Sequence, residues 1–293
     1  MSPSSLQRLR HTLFVERRLP YRLKHQLGWL GILPNFLIIG AQKAGTTSLY
    51  AYLRQHPCVH APDMRELHYF THSFHKGVSW YKSQFPSSPI KAFDTRVRRQ
   101  PFLSGESSPT YLLYPQVPRR VAELIPDVKL IALVRNPVDR AYSHYSMMVR
   151  RKFETLSFAE AIAKEDERTQ AEWERASTDE NYVDKLLSTS LSCHSYLRRG
   201  VYVDRIEAWL KYFPREQLLI LPSETFWQNP QAMVAKTLDF LGLPPFELPA
   251  FENVNQGTQS DLDPGLRREL RAYFKPHNQR LYAFLGMDLG WDD

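Results

Sequence analysis

Cysteine is nearly absent from this chain. Only Cys58 and Cys193 occur in 293 residues, and neither sits in a Cys-x-x-Cys pair. Two cysteines cannot build a disulfide framework, so a reducing compartment is the expectation. Glycine is also scarce, at 12 residues, with no Gly-X-Y period, which excludes a fibrous chain. No stretch approaches the ~20 apolar residues of a membrane span. The one candidate, Leu27–Leu33, is interrupted by Pro34 and Asn35. It also lies too far from the start, and lacks the small-residue cleavage site, of a signal peptide. What is present is globular in character: 43% hydrophobic, 24% charged and 13% aromatic residues exclude a disordered chain. A chain of this length buries roughly three quarters of its surface, enough for one large core or two modest ones.

The net charge of +7 is unevenly placed. Between Met1 and Pro34 stand six bases (Arg8, Arg10, Arg17, Arg18, Arg22, Lys24) against Glu16, which is +5 of the total and leaves +2 for the rest. A nucleic-acid protein spreads its charge over a folded face, so no nucleic-acid partner is expected. The arm reads either as a basic helix docking its leucines on the body or as a contact with a membrane surface or anionic partner. The segment 154–184 is the opposite. It holds ten acids against three bases, a net −7, and reads as a solvated helical insertion.

Short apolar runs alternate with helical patterns. Asn35–Gly40, Phe102–Glu106, Lys129–Val134 and Gln217–Leu221 read as strands. Helical patterns cover Thr47–Gln55, the stretch from Pro137 to about Arg151, Tyr202–Tyr212 and most of the chain after Pro230. Alternation of this kind predicts an α/β fold, a central parallel sheet covered on both sides. The expected organisation is a basic arm over 1–34 and one domain over 35–293, with the acidic insertion at about 154–184.

The chemistry concentrates in one turn. Gly40-Ala41-Gln42-Lys43-Ala44-Gly45-Thr46-Thr47-Ser48 lies between an apolar strand and a helix. Backbone amides and the helix N-terminus there favour an anion. Lys43 adds a point charge, and Thr46, Thr47 and Ser48 add hydroxyls. The turn departs from the Walker pattern GxxxxGK[ST]. Gly40 and Gly45 keep its spacing, but Thr46 stands at the lysine position. The strand Lys129–Val134 runs into Arg135 rather than a metal-holding acid. Kinase or NTPase chemistry then lacks its usual charge neutralisation. A sulfonate carries less charge than a phosphoryl group, and Lys and N–H donors can serve it without a metal.

The run PNFLIIGAQKAGTTSL resembles the 5′-phosphosulfate loop of sulfotransferases that use 3′-phosphoadenosine 5′-phosphosulfate (PAPS). LVRNPVDRAYSHY resembles that family's 3′-phosphate-binding segment. GESSPTYL, RGVYVDRIEAWLKYFP and NQRLYAFLGMDLGW are weaker similarities. The resemblance implies a P-loop-like three-layer sandwich and PAPS as co-substrate, with no metal required. It implies that Lys43 contacts the bridging and sulfonate oxygens. Ala44, Gly45, Thr46, Thr47 and Ser48 would hold the 5′-phosphate, and Arg135 and Ser143 the 3′-phosphate. Arg65-Glu66-Leu67-His68-Tyr69-Phe70 is similar to the heparan-sulfate-type branch, which implies Glu66 as general base, with His68 orienting the acceptor or sharing the load. The expected acceptor is a hydroxyl or amine, on a carbohydrate. Glu106-Ser107-Ser108-Pro109 replaces a common Glu-Lys-Ser-Pro pattern, so Arg65 or Arg199 is expected to stand in for the lysine. Asn255–Thr258 is a candidate short loop over the nucleotide. A P-loop kinase and a catalytically silent PAPS binder are the alternatives. The expected location is cytoplasmic, with the basic arm as the membrane contact.

Overall fold

Apolar runs become buried strands here because helices cover the sheet, which makes the strands continuously hydrophobic rather than alternating. The computed structural model describes residues 28–62, 64, 66–179, 181–182, 189–247 and 262–292. The basic arm Met1–Lys24, Arg65 and the segment Asn255–Thr258 lie outside the described residues. Strand β1, Phe36–Gly40, is buried at every position. It is the middle of a five-stranded sheet with β2 (Val59–His60), β3 (Leu103–Ser107), β4 (Lys129–Val134) and β5 (Leu218–Pro222). The order is β2-β3-β1-β4-β5. Every pairing is parallel. Strand β4 falls where the sequence predicts it. The predicted bounds of β1, β3 and β5 shift by one residue, and β2 adds a strand that the sequence reading does not contain.

Local sequence explains where the helices begin. Helix α1, Thr46–Leu53, leaves the turn after β1. Helix α2, Val117–Leu124, precedes β4. Helix α3, Pro137–Arg150, starts because the Asn136 side chain accepts from the amides of Val138 and Asp139 while Pro137 fixes the first turn. Then come α4 (Glu165–Thr178) and α5 (Tyr202–Leu210). Beyond β5 follow α6 (Ser223–Gln228), α7 (Pro230–Leu241) and α8 (Pro264–Leu285). Helix α7 is capped by Asn229 and stops at Gly242, whose φ of 74° suits a left-handed C-cap. Helix α8 packs on α3 and α5, and α7 packs on α1. Among the described residues no helix is long and apolar enough to cross a membrane.

The main core joins the sheet to Tyr50, Trp80, Tyr111, Ile206 and Trp209. A second cluster, with Val138, Phe158, Tyr196 and Phe274, fastens α3 to the acidic segment and α8. That segment is not solvated throughout. The Glu154 carboxylate is buried, 2.8 Å from Arg168 and 2.8 Å from the Tyr196 hydroxyl. Glu165 is also buried and accepts from the amides of Leu197 (2.6 Å) and Arg198 (2.9 Å). These two acids tie the segment to the chain around residue 197. Among the described residues Cys58 and Cys193 are both buried and form no disulfide.

The strand order reverses around β1: β3 lies on one side of it and β4 on the other. Crevices that take ligands in such sheets open at the carboxyl ends of the strands at this switch point. Here the adjoining strand ends are Gly40, Ser107 and Val134.

Candidate active site

The turn after β1 is closely packed. A Cβ on Gly40 would meet Leu112 Cβ at 2.6 Å, so only glycine fits. Lys43 takes φ 72° and Gly45 φ 94°, both left-handed. For a lysine that conformation costs free energy and needs support from its surroundings. The support is visible. Arg135 Nη1 donates to the Lys43 carbonyl (3.1 Å), Ser223 Oγ to the Ala44 carbonyl (2.7 Å), and the Ala41 amide to Leu133 O (2.7 Å). Gly45 is the N-cap of α1 and there is no side-chain cap, so the Thr46 and Thr47 amides can face an anion, while the Ser48 amide donates to the Gly45 carbonyl (3.0 Å). Ala44 is fully buried and can offer only backbone. Thr46 and Ser48 are buried too, while Thr47 is half-buried.

The surroundings of Lys43 are strongly cationic. Burial lowers its pKa first, and the charges of Arg150, Arg135, Arg151 and Arg140 lower it further. Arg135 leaves β4 with its guanidinium 4.9 Å above the Trp227 ring. The Tyr202 hydroxyl donates to its carbonyl (2.8 Å), and Glu224 accepts from the next amide, Asn136 (2.8 Å). Ser143 lies about two turns into α3 and is half-buried. Its neighbour His144 is fully buried, with both ring nitrogens unpartnered. Burial, then the charges of Arg199, Arg140 and Lys43, push that imidazole well below its ordinary pKa, so it is neutral.

Glu66 and His68 stand beside β3. His68 Nε2 lies 3.2 Å from Glu66 Oε2, and its Nδ1 lies 3.0 Å from Thr110 Oγ1. The His68 amide donates to Ser108 Oγ (3.0 Å). Ser108 in turn donates from its backbone to Ile38 O of β1 (3.1 Å), so this corner and the Lys43 turn occupy adjacent strand ends. Glu66 keeps a third of its side chain exposed, within reach of an entering molecule. Among the described residues no group of three His, Cys, Asp or Glu side chains is placed to hold a metal ion.

The chain matches the family described as Sulfotransferase domain over residues 33–258. The chain belongs to the sulfotransferase domain family. Heparan sulfate glucosamine 3-O-sulfotransferase 3B1 of Mus musculus is 29% identical over 284 residues, covering 89% of this chain and 65% of that protein. Heparan sulfate glucosamine 3-O-sulfotransferase 6 of Homo sapiens is 28% identical over 287 residues, with 88% and 73% covered. The chain thus spans somewhat less than two thirds of the first relative's length. The crystal structure of a sulfotransferase from Alicyclobacillus acidocaldarius superposes with a TM-score of 0.67 at 33% identity, over 89% of this chain and 100% of that one.

Within this sulfotransferase fold the residues named from sequence fall into two groups. Lys43, Ala44, Gly45, Thr46, Thr47 and Ser48 form one turn, to which Arg135 is hydrogen-bonded. Glu66 and His68 form the second group, on the β3 side. Arg199 is buried, donates to Ser192 O (3.1 Å) and lines a small cavity with Ala41, Gln42 and Pro109, beside the turn. Arg150 and Arg151, at the end of the helix that the sequence predicts to about Arg151, also act on Lys43 and were not named as site residues. The sequence reading also passed over Trp227 and Glu106. Trp227 carries a readable signal, an aromatic five residues beyond the apolar run of β5 that remains 39% exposed.

Proposed function

We propose that the protein transfers a sulfonate group from PAPS to a hydroxyl or amine of a carbohydrate acceptor. The observation that carries this reading is the cationic cluster at the glycine-bounded turn of the switch point, where Arg135 Nη1 lies 3.1 Å from the Lys43 carbonyl and the charges of Arg150, Arg151 and Arg140 also act on Lys43. Such a cluster is unfavourable alone and is offset by an anionic substrate. The donor set fits PAPS: amides of 45–47 and hydroxyls of 46–48 for the 5′-phosphate, and the Arg135 fork with Ser143 for the 3′-phosphate. Kinship with proteins named for heparan sulfate supports the carbohydrate acceptor.

The reaction is an in-line displacement. Glu66, held by His68, removes the proton of the acceptor O–H or N–H. The acceptor lone pair forms the new bond to sulfur as the bond from sulfur to the 5′-phosphate oxygen breaks. Lys43 and the α1 amides stabilise the charge that develops on that departing oxygen. The products are a sulfate ester or sulfamate and 3′,5′-adenosine bisphosphate. Neutral His144 and buried Ala44 take no proton in this scheme. The proposed location is cytoplasmic, with Met1–Lys24 as a contact to an anionic membrane surface.

Incubation with labelled PAPS and a panel of hydroxyl- and amine-bearing glycans tests the reading. Label transfer that disappears in Glu66→Gln is expected. Magnesium-dependent phosphoryl transfer from ATP, with no transfer from PAPS, would replace the reading with a kinase. Tight binding of PAPS with no transfer to any acceptor would point to a silent binder.

A further inference from the structure

Glu106, the fourth residue of β3, is 0% exposed. A buried carboxylate is costly unless donors meet it. Four do. Oε1 accepts from the hydroxyls of Tyr81 (2.7 Å) and Tyr111 (2.9 Å). Oε2 accepts from Ser108 Oγ (2.7 Å) and the Leu67 amide (3.3 Å). Burial raises its pKa, while the hydroxyls of Ser108, Tyr81 and Tyr111 act in the opposite sense. All four partners donate, which matches an ionised carboxylate and leaves no place for an amide in its stead.

Two of these bonds lead to the proposed base. The Leu67 amide reaches Oε2 directly, and the next amide, His68, reaches it through Ser108 Oγ. A hydroxyl can do both, accepting from one partner and donating to the other. Consecutive amides are therefore pinned to one carboxylate oxygen. Directly after the second of them His68 takes φ 49°, a left-handed conformation that a side chain with a β-carbon resists. That backbone aims the imidazole so that Nδ1 meets Thr110 and Nε2 meets Glu66.

We propose that Glu106 is a positioning residue for sulfonate transfer: it fixes the Leu67–His68 backbone so that His68 holds Glu66 in the geometry proton removal requires. This rests on the reading of Glu66 as base. Glu106 touches neither substrate and acts only through the loop above it.

Glu106→Gln keeps the shape but turns an NH2 group toward donors, so at least one bond is lost. Steady-state kinetics of Glu106→Gln, Glu66→Gln and the double variant test the proposal, with melting curves to count folded enzyme. Glu106→Gln is expected to lower kcat about tenfold to a hundredfold, the scale of a lost charge-assisted hydrogen bond. KM for PAPS and affinity for 3′,5′-adenosine bisphosphate should stay within about twofold, because the Lys43 turn is intact. In the Glu66→Gln background the second change should add less than about twofold, since both act on one step. Unchanged kcat in folded Glu106→Gln overturns the proposal, as does a full loss added to that of Glu66→Gln. Wild-type turnover in Glu66→Gln alone overturns the base assignment itself, a separate and recognisable result. If Glu106→Gln does not fold, Ser108→Ala removes the link to the His68 amide and keeps the carboxylate. It should lower kcat about threefold to tenfold with the same dependence on Glu66. Additive loss, or none, overturns the proposal.

Discussion

Lys43 offers the sharpest test, because removing it should change stability and catalysis in opposite directions. Its ammonium is partly buried and faces the charges of Arg150, Arg135, Arg151 and Arg140. In the free protein these interactions are repulsive. A group whose pKa is lowered on folding binds fewer protons in the native state than in the unfolded one. Stability should therefore rise with pH as the solution passes through the lowered lysine value toward the ordinary one, 10.5. Lys43→Met removes the charge and keeps most of the side-chain volume. It should stabilise the ligand-free protein by about 0.5–1 kcal/mol, a melting rise of roughly 1–4 °C.

Catalysis should move the other way. A unit charge 4 Å from a developing negative oxygen interacts by about 4 kcal/mol at an effective dielectric constant near 20. Losing one such donor commonly costs ~10²–10³ in kcat, about 2.7–4 kcal/mol. The two figures agree, so Lys43→Met should transfer sulfonate about 10²–10³ times more slowly at saturating PAPS. Binding of 3′,5′-adenosine bisphosphate should weaken far less, since the charge is needed mainly where it develops in the transition state. Initial rates with labelled PAPS, product-nucleotide calorimetry and thermal melts of one preparation measure all three. Near-normal kcat would refute the role assigned to Lys43. A drop in melting temperature would refute the electrostatic account of the turn.

Arg135→Ala should weaken binding of 3′,5′-adenosine bisphosphate about tenfold to a hundredfold, the worth of ~1.5–3 kcal/mol for a charged hydrogen bond, and hardly change 5′-AMP; Ser143→Ala should show the same preference with a smaller loss, and equal losses for both nucleotides would assign either residue to the fold instead. Glu154→Gln should destabilise by about 2–4 kcal/mol in urea titrations, because it breaks a buried pair with Arg168. Burial opposes the charge of Glu154, but hydrogen bonds from Arg168, the Leu156 amide and Tyr196 hold its pKa below the ordinary 4.5. The wild-type advantage should then be complete above pH 4.5 and vanish as acid takes the solution through the lowered value; an advantage constant in pH would contradict the pairing. Deleting Met1–Lys24 should leave kcat unchanged and abolish salt-sensitive co-sedimentation with anionic vesicles. A full-length protein that ignores vesicles, beside a truncated one that melts much earlier, would make the arm part of the core.

The parts of this molecule legible from sequence are those made by contiguous chain. Strands β1 and β4 are continuous apolar runs, because burial on both faces leaves no reason to alternate. The turn proposed to hold the anion is local as well: its amides, its two glycines and its lysine lie within nine residues, Gly40 to Ser48. What was not legible is assembled across the chain. Strand β2 has two residues, too few for any periodicity, and exists because it pairs with β3. Composition marked 154–184 as acidic but could not say which acids are buried. The partner of Glu154 is 14 residues away, and the amide that meets Glu165 is 32 away. Glu106 is the same case at the site, gathering donors 39, 25 and 5 residues distant in sequence.

The arginines at the end of α3 show why non-local charge is hardest to read. Arg150 and Arg151 sit where a cation favours the C-terminal end of a helix dipole, so sequence gives them a sufficient local reason to exist. The fold gives them a second one by bringing them within electrostatic reach of Lys43. In a surface helix their charge would be screened within about 8–10 Å at physiological salt. Beside a partly buried lysine, screening is weaker and repulsion persists. The lysine usual between the glutamate and serine of this family's Glu-Lys-Ser-Pro pattern is Ser107 here, which is buried. Ser107 thus brings no cation to the end of β3, while the charges of Arg150 and Arg151 reach Lys43 from the end of α3.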